Sequence, residues 1–291
     1  MNEFKKNNRY LLVFNSEAGK GSSLNKKELI VKYFIQKKCR FKIINTDRLS
    51  QVENFDKYKA VVVIGGDGTV LKAIPYVINT NIKLGIIPCG TANLFAASLS
   101  IPFNIKKAID IIINDSTSKV DIGKVGTDYF ALRVGMGYDA DVVNGATRLL
   151  KQKIGYLAYF IQGMIYSFKL STKSYTVTID NKTFEIDANA IIISNTGNMF
   201  RNLCTIAPLG SITDGKLDIF ILRAKNIWEF LTVFARIIFN KHKQSAKSFY
   251  SQAKNIKIHS IDKNMHIDGE RVAEEDIDIS IIPKALTVVI P

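Results

Sequence analysis

The stretch AVVVIGGDGT, residues 60–69, decides how the fold is interpreted. Its first five residues are apolar and mostly β-branched, which predicts a strand buried within a parallel sheet. The glycine turn that follows allows backbone dihedrals, or a close approach to a ligand, that a Cβ would prevent. Residues 70–79 are predicted to form a helix, with Thr69 or Asp67 as its cap. A strand, a glycine turn and a helix N-terminus together form an anion site, because N–H groups and the helix dipole face the ligand.

Three further polar loops follow predicted strands in the first 118 residues. The strands are predicted at residues 10–14, 41–45 and 83–88. The loops after them begin at Asn15, Thr46 and Cys89. Helical patterns alternate with the strands at residues 24–36, 94–99 and 104–113. This alternation predicts an α/β domain with a parallel sheet. Ligands of such sheets bind beyond the carboxyl ends of the strands, so all four loops should meet in one site.

The second half of the chain changes character near Asp121, and we predict domains over residues 1–121 and 122–291. Many short strands separated by turns predict a β-rich, sandwich-like second domain. Its predicted strands include residues 119–125, 129–134, 175–180, 182–187, 190–194, 217–222, 255–260, 265–268, 277–282 and 286–290. Residues 149–168 are apolar almost all round, which predicts a buried helix.

Composition limits the class of protein. A hydrophobic fraction of 47% with 23% charged residues excludes a disordered chain. The net charge of +14 suits an anionic partner, such as nucleic acid, anionic lipid or a phosphate-bearing small molecule. Three widely spaced cysteines form neither a disulfide framework nor a zinc site, which fits a reducing cytoplasm. Residues 154–168 fall short of the roughly 20 that a membrane-spanning helix needs.

Residues 226–239 form a predicted amphipathic helix with a wide apolar face. Amphipathic helices usually pack on a core, so packing against the sheet is one interpretation. The other is an interfacial patch, with aromatic residues toward acyl chains and basic residues toward headgroups. The sequence leaves both open.

At this point the sequence resembles the diacylglycerol kinase-type lipid kinases, which include bacterial lipid kinases and the sphingosine and ceramide kinases. GGDGT alone is shared with NAD kinases, but the ordered set is more specific. The matching segments are Asn15 with residues 19–21, Thr46, GGDGT at 65–69, PCGTAN at 88–93, GYDA at 137–140, APLGSITDGKLD at 207–218 and DGE at 268–270.

The resemblance implies an α/β nucleotide-binding domain, a β-rich lipid-substrate domain and a nucleotide cleft between them. It implies ATP and Mg²⁺ as cofactors, and a lipid hydroxyl, of diacylglycerol or a related lipid, as acceptor. The implied ATP-binding residues are Asn15, Thr46, Gly65, Gly66, Asp67, Gly68, Thr69, Val70, Leu71, Thr91 and Asn93. Asp67 would act in the phosphate and Mg²⁺ network, and Glu270 would be the general base. Ser211, Asp214 and Lys216 match a Mg²⁺ site, Lys216 through its carbonyl.

One position departs from the family pattern. Leu94 follows the asparagine of the GTxN motif, where the family commonly has an aspartate that could join the metal network. We expect an enzyme that is cytoplasmic and peripheral to the membrane, with no nucleic-acid partner, and a homodimer stays open. The alternatives are a soluble NAD kinase-like enzyme and a catalytically idle lipid- or nucleic-acid-binding module of the same fold.

Overall fold

The computed structural model describes residues 9–15, 22–137, 171–199, 204–239, 245–261 and 264–291. The chain divides into two compact units, one of residues 1–120 with 284–291 and one of residues 121–283. The predicted helix at 149–168 and the motif segments 19–21 and 138–140 lie outside the described residues. The predicted boundary after Asp121 stays a prediction. No feature of the sequence predicts that the last eight residues belong to the first unit.

The first unit is built on a parallel sheet. Its own strands are β1 (Arg9–Phe14), β2 (Arg40–Asn45), β3 (Ala60–Gly65) and β4 (Lys83–Pro88). They lie in the order β2-β1-β3-β4, and the end of the last strand of the chain pairs with β4 in parallel. Every residue of β3 is buried, as expected for a continuous apolar run in the middle of such a sheet.

Four helices connect these strands. They are α1 (Ser22–Gln36), α2 (Asp67–Val77), α3 (Leu94–Ser98) and α4 (Ile105–Asn114). Two short 3-10 turns span Thr46–Gln51 and Phe55–Lys57. Helix α4 buries Ala108, Ile109 and Ile112 on one side, and its N-cap Asn104 accepts a hydrogen bond from the Lys107 N–H. The α/β fold class predicted for the N-terminal region is therefore confirmed.

The second unit contains two large antiparallel arrangements of strands and one separate antiparallel pair, β11 with β12. The strands are β5 (Thr117–Val125), β6 (Asp128–Phe130), β7 (Arg133–Gly137), β8 (Lys173–Ile179), β9 (Lys182–Ala188), β10 (Ala190–Ser194), β11 (Asn198–Met199), β12 (Cys204–Thr205), β13 (Leu217–Leu222), β14 (Ser248–Ala253), β15 (Asn255–His259), β16 (Met265–Ile267), β17 (Glu270–Val272) and β18 (Asp276–Val289). One sheet has the order β14-β13-β10-β7-β16-β17. The other joins β18, β15, β8 and β9, with β5 beside β18 and β6 beside β5.

One large apolar core cluster of described residues lies between these two arrangements. Alternate residues of β10 and β13, such as Ile193 and Ile219, belong to the same buried cluster as Ile256 and Ile279 of β15 and β18. Inward-facing residues from two sheets that share one core define a sandwich. The predicted β-rich, sandwich-like region is confirmed. Helix α5 (Ile227–Ile238) packs Val233 and Ile237 on a second, smaller cluster.

The strand predictions need three corrections. The strand predicted at 129–134 is broken into β6 and β7, because the Asp268 carboxylate accepts hydrogen bonds from the N–H groups of Ala131, Leu132 and Arg133. The two strands predicted at 277–282 and 286–290 are one strand, β18, with Lys284 at φ 53° inside it. Strands β14 and β17 were not predicted, since their alternation is weak or their length is three residues.

Candidate active site

The carboxyl ends of β1 to β4 lie side by side along one edge of the first unit. In the sheet register, Phe14 pairs with Asn45 and with Ile64, and Gly65 pairs with Pro88. The loops that begin at Asn15, Thr46, Gly66 and Cys89 therefore leave the sheet next to one another. The convergence that the sequence predicted for the four loops follows from this register.

Two of these loops pack backbone against backbone. The Cys89 N–H donates to the Gly65 carbonyl at 2.8 Å. A Cβ on Gly66 would lie 3.1 Å from the Cα of Gly90, and one on Gly90 would lie 3.0 Å from the nitrogen of Gly66. A side chain at either position would have to push the other loop away, so both glycines are required for this approach.

Asp67 connects the two loops through its carboxylate. Its two oxygens accept hydrogen bonds from the N–H groups of Leu94 at 3.1 Å and Phe95 at 3.0 Å, which open helix α3. Burial raises the pKa of Asp67, and these N–H groups oppose that rise only in part. The predicted cap of α2 is wrong: the N-cap is Gly66, without a side-chain bond, because the Asp67 carboxylate faces the start of α3.

Asn93 fixes the shape of the second loop. It is buried and takes the left-handed backbone conformation, with φ 49°. Its side chain accepts the Gly90 N–H at 2.9 Å and donates to the Gly90 carbonyl at 2.8 Å. Asparagine tolerates this conformation better than most residues, so the amide both bends the loop and satisfies its backbone. These contacts make Asn93 a residue that shapes the loop.

The remaining predicted nucleotide residues of the first unit differ in exposure. Thr46 is buried, and its hydroxyl donates to the carbonyl of Phe14 at 3.3 Å. Thr69 and Val70 are also buried, so Val70 can offer a ligand only its backbone. Asn15 and Leu71 are half-buried, and Thr91 is exposed.

Gly68 differs from the other glycines of the motif. It is exposed in the first turn of α2, and a Cβ built on it would meet no atom within 4 Å. Packing therefore gives no reason for a glycine at this position. An open approach to the first-turn N–H groups is the geometry with which helix N-termini bind phosphates.

In the second unit, the predicted metal residues lie in one turn before β13. The Ser211 and Thr213 hydroxyls are 3.1 Å apart. One oxygen of the exposed Asp214 accepts the Lys216 N–H at 3.0 Å, and the other accepts the Gln252 amide at 3.3 Å. The turn is held in place by the buried Asp121 carboxylate, which accepts the Gly215 N–H at 2.6 Å.

Glu270 opens β17, directly after a two-residue hairpin turn. Ile267 pairs with Glu270 across the hairpin, and the turn residues Asp268 and Gly269 have φ 48° and φ 91°. Two positive φ values with an Asp-Gly sequence are typical of a type I′ turn. Asp268 also accepts the three N–H groups of the 131–133 turn at 2.7, 3.0 and 2.7 Å. The exposed Glu270 carboxylate therefore stands on a tightly anchored turn.

Two family models match consecutive parts of the chain. The diacylglycerol kinase catalytic domain matches residues 9–125, and the YegS C-terminal NAD kinase beta sandwich-like domain matches residues 132–290. A diacylglycerol kinase of Bacillus subtilis is 30% identical over 218 residues, which cover 74% of this chain and 72% of that protein. The chain belongs to the diacylglycerol kinase-type lipid kinase family.

Two other proteins are similar to most of this chain. An uncharacterised protein of Synechocystis is 29% identical over 96% of this chain and 70% of its own length. A solved structure of a diacylglycerol kinase from Bacillus anthracis superimposes with a TM-score of 0.80 at 25% identity, over 99% of this chain and 98% of that one. Among the described residues, no helix is long and apolar enough to cross a membrane.

The described part of the chain contains no cluster of three or more His, Cys, Asp or Glu side chains that could hold a metal ion. The turn at residues 211–216 offers one carboxylate, two hydroxyls and backbone carbonyls. Mg²⁺ is commonly held by one or two carboxylates and retains several waters. The oxygen-only donor set of the turn fits such a weakly chelated ion, and does not fit a metal that prefers nitrogen or sulfur ligands.

Sequence reasoning missed two carboxylates that organise the site. Asp121 was used only as a boundary, although an aspartate within an apolar strand is a signal for a buried acceptor. Asp268 was assigned to a motif without a role, although Asp-Gly after a strand predicts a hairpin turn. Leu94 was noted only for the carboxylate that it lacks, whereas its N–H binds Asp67.

Proposed function

We propose that this protein is an ATP- and Mg²⁺-dependent kinase that transfers the γ-phosphate to a hydroxyl of diacylglycerol or a related lipid. The observation that carries the proposal is the open first turn of α2 at Gly68, beside two loops that pack through Gly66 and Gly90. Family membership and the names of the relatives support the acceptor class.

The first unit would bind the nucleotide. The first-turn N–H groups of α2 would bind phosphate oxygens, and the missing side chain at Gly68 would leave room for them. Asn15, Thr46 and Thr91, at the ends of β1, β2 and β4, would contact other parts of ATP. Asp67 would act mainly by keeping the start of α3 against this loop, because both of its oxygens already accept N–H groups.

The second unit would supply the base. The Glu270 carboxylate would accept the proton of the lipid hydroxyl as the hydroxyl oxygen attacks the γ-phosphorus, the bond from that phosphorus to the bridging oxygen breaks and ADP leaves. The Asp268 turn would hold that carboxylate in a fixed orientation, which lowers the entropy that must be lost in the transition state. Asp214, with Ser211 and the Lys216 carbonyl, would hold Mg²⁺. The ion would supply positive charge that offsets the negative charge of the phosphates.

The direct test is transfer of radiolabelled phosphate from ATP to diacylglycerol in mixed micelles. Glu270→Gln keeps the shape of the side chain and removes the base, so we expect a loss of kcat of about 100-fold or more. The matched control is Glu274→Gln, an exposed glutamate four residues further on, which should leave the rate unchanged. Equal rates for the two variants would remove Glu270 from the mechanism.

The same assay with other acceptors separates the alternatives. Formation of NADP from NAD and ATP, without lipid labelling, would replace the proposal with a soluble NAD kinase. Absence of transfer to lipids and to NAD, at saturating Mg²⁺, would indicate an idle binding module. Label in the lipid fraction that requires Mg²⁺ supports the proposal.

A further inference from the structure

Helix α5 has two apolar faces, and among the described residues only one of them packs on a core cluster. Val233 and Ile237 are 1% and 8% exposed and pack with Phe230 on the small core cluster. The cap at Asn226, which accepts the Glu229 N–H at 3.0 Å, fixes where the helix begins. A second, outward face with large apolar side chains is not needed for this packing.

The outward face forms one stripe, which we call the α5 stripe. It consists of Trp228, Leu231, Thr232, Ala235, Arg236 and Phe239, at the i, i+3, i+4, i+7 spacing of a helix face. Trp228 is 75% exposed, Leu231 45% and Phe239 71%. These three side chains are large and apolar, and their exposure to water is unfavourable. Contact with an apolar partner would therefore stabilise the stripe.

The charges next to the stripe are mostly positive. Arg223 and Lys225 are exposed just before the helix, and Arg236 is exposed within the stripe. The one carboxylate of residues 223–239, on Glu229, pairs with Lys247 at 3.2 Å. Within residues 223–239, three basic side chains against this one carboxylate leave an excess of two positive charges, which complements an anionic surface.

The size of the stripe argues against a second copy of the chain as its partner. A 12-residue helix is about 18 Å long and exposes a face about 10 Å wide, roughly 200 Å². Stable protein–protein interfaces bury about 800 Å² on each partner. A membrane surface has no such minimum, because a few inserted side chains and nearby basic groups suffice for reversible binding.

We propose that the α5 stripe is a membrane-docking surface that binds anionic phospholipid bilayers. Trp228, Leu231 and Phe239 insert at the level where headgroups meet acyl chains, a position that tryptophan favours. Arg236 extends its charged end to the headgroup phosphates while its aliphatic part stays with the apolar side chains. The inference deepens the proposed function, since an enzyme that phosphorylates a membrane lipid must reach the bilayer surface.

The test uses the fluorescence of Trp228, which is the single tryptophan of the chain and therefore reports on the stripe alone. Vesicles of equal parts phosphatidylcholine and phosphatidylglycerol should shift its emission to the blue. Vesicles with brominated acyl chains should quench it. Binding should weaken as salt is raised, because the basic groups are screened.

Leu231→Glu retains Trp228 as the reporter and should lower the partition coefficient by about 10- to 100-fold. Arg236→Gln should lower the preference for anionic over neutral vesicles by about fivefold. The matched control is Ile35→Glu, the same change at a 61% exposed position of α1 in the other unit. It should bind like the unmodified protein, and circular dichroism checks that all variants are folded.

Several outcomes would overturn the docking surface. One is an emission maximum that does not change when vesicles are added. Another is an emission maximum that is already blue in buffer, because the chain or a second copy covers Trp228. A third is a partition coefficient that falls as much in Ile35→Glu as in Leu231→Glu. Kinase assays separate this inference from the proposed function. Leu231→Glu should lose activity on vesicles and keep it on short-chain diacylglycerol dispersed in water. If the unmodified protein shows no transfer at all, the fluorescence assay still decides whether the stripe binds membranes.

Discussion

One Asp-Gly pair from each unit, Asp67-Gly68 and Asp268-Gly269, shows a different use of the same dipeptide. The first pair opens α2, and the second forms the turn of the β16–β17 hairpin. In both, the carboxylate accepts N–H groups of a segment far away in the chain, 27 and 28 residues for Asp67 and 135 to 137 for Asp268. Both aspartates are therefore anchors between segments.

The glycines differ in the reason for their presence. Gly269 has φ 91°, where an L side chain is strained, so the fold itself requires a glycine. Gly68 lies in a helix with open space around its missing Cβ, so nothing in the folded chain requires it. On the proposed nucleotide site, the open space at Gly68 would let a ligand approach closely. Two glycines of the same dipeptide therefore differ in what requires them: the backbone conformation at Gly269, and nothing within the fold at Gly68.

The largest change in stability is expected when Asp268 is replaced. Asp268→Ala leaves three backbone N–H groups without their acceptor, and we expect a loss of about 3 kcal/mol or more in the free energy of unfolding. Urea denaturation measures this. Asp128→Ala, at an exposed aspartate in β6, should change stability by about 0.5 kcal/mol at most. Coinciding midpoints for the two variants would contradict the role of Asp268 as an anchor.

A smaller effect is expected at Gly269. Gly269→Ala places a Cβ in the left-handed region and should cost about 1 to 2 kcal/mol in unfolding free energy. Gly269→Asn should cost less, because asparagine tolerates this conformation. Denaturation of both variants in parallel checks the order. An alanine variant as stable as the unmodified protein would show that the turn adopts another shape in solution.

Gly68→Ala should raise the free energy of unfolding, in contrast to Gly269→Ala. Alanine favours the helix over glycine, so we expect about 0.5 kcal/mol of added stability. On the proposed nucleotide site, the added methyl should weaken ATP binding about tenfold, or about 1.4 kcal/mol. Calorimetric titration with ATP and denaturation measure the two quantities on one sample. Gly269→Ala is the control and should bind ATP normally. Unchanged affinity in Gly68→Ala would separate Gly68 from the nucleotide.

The smallest effect concerns pH and Asp67. Burial raises the pKa of Asp67 above its usual value of 3.8, so the folded state binds this proton more tightly than the unfolded chain. The stabilisation from this group is fully present below pH 3.8 and is lost as the pH rises through the raised pKa. Relative to Asp67→Asn, whose amide does not titrate, the unmodified protein should lose stability across that window. Denaturation midpoints against pH measure it, and parallel curves would contradict the assignment.

Much of the first unit was predictable from local patterns. The β3 run is apolar throughout and followed by glycines, so its burial and its position before a helix follow from the residues alone. The meeting of four loops followed from parallel topology. The cap of α2 could not be predicted, because it depends on the N–H groups of Leu94 and Phe95, whose approach is set by the packing of Gly66 on Gly90.

The second unit was less predictable in detail. The split of residues 129–134 into β6 and β7 depends on a carboxylate more than 130 residues further along the chain. The continuous β18 contains Pro283 and Lys284, which looked like a turn, yet its ends pair with different neighbours, β15 and β4. Local sequence carries no information on such pairings.

By itself, the sequence determined the fold class and the order of the motifs, because periodicity, glycines and chain order are local properties; that the motif residues share one ligand site stays a prediction. Only the tertiary structure decided which carboxylates act as anchors, which glycine the fold leaves open, and which face of α5 is already packed. The physical reason is that hydrogen bonds and burial depend on what lies opposite a residue in space. Asp67 and Asp268 look alike in the sequence, and Gly68 and Gly269 differ only once their surroundings are known.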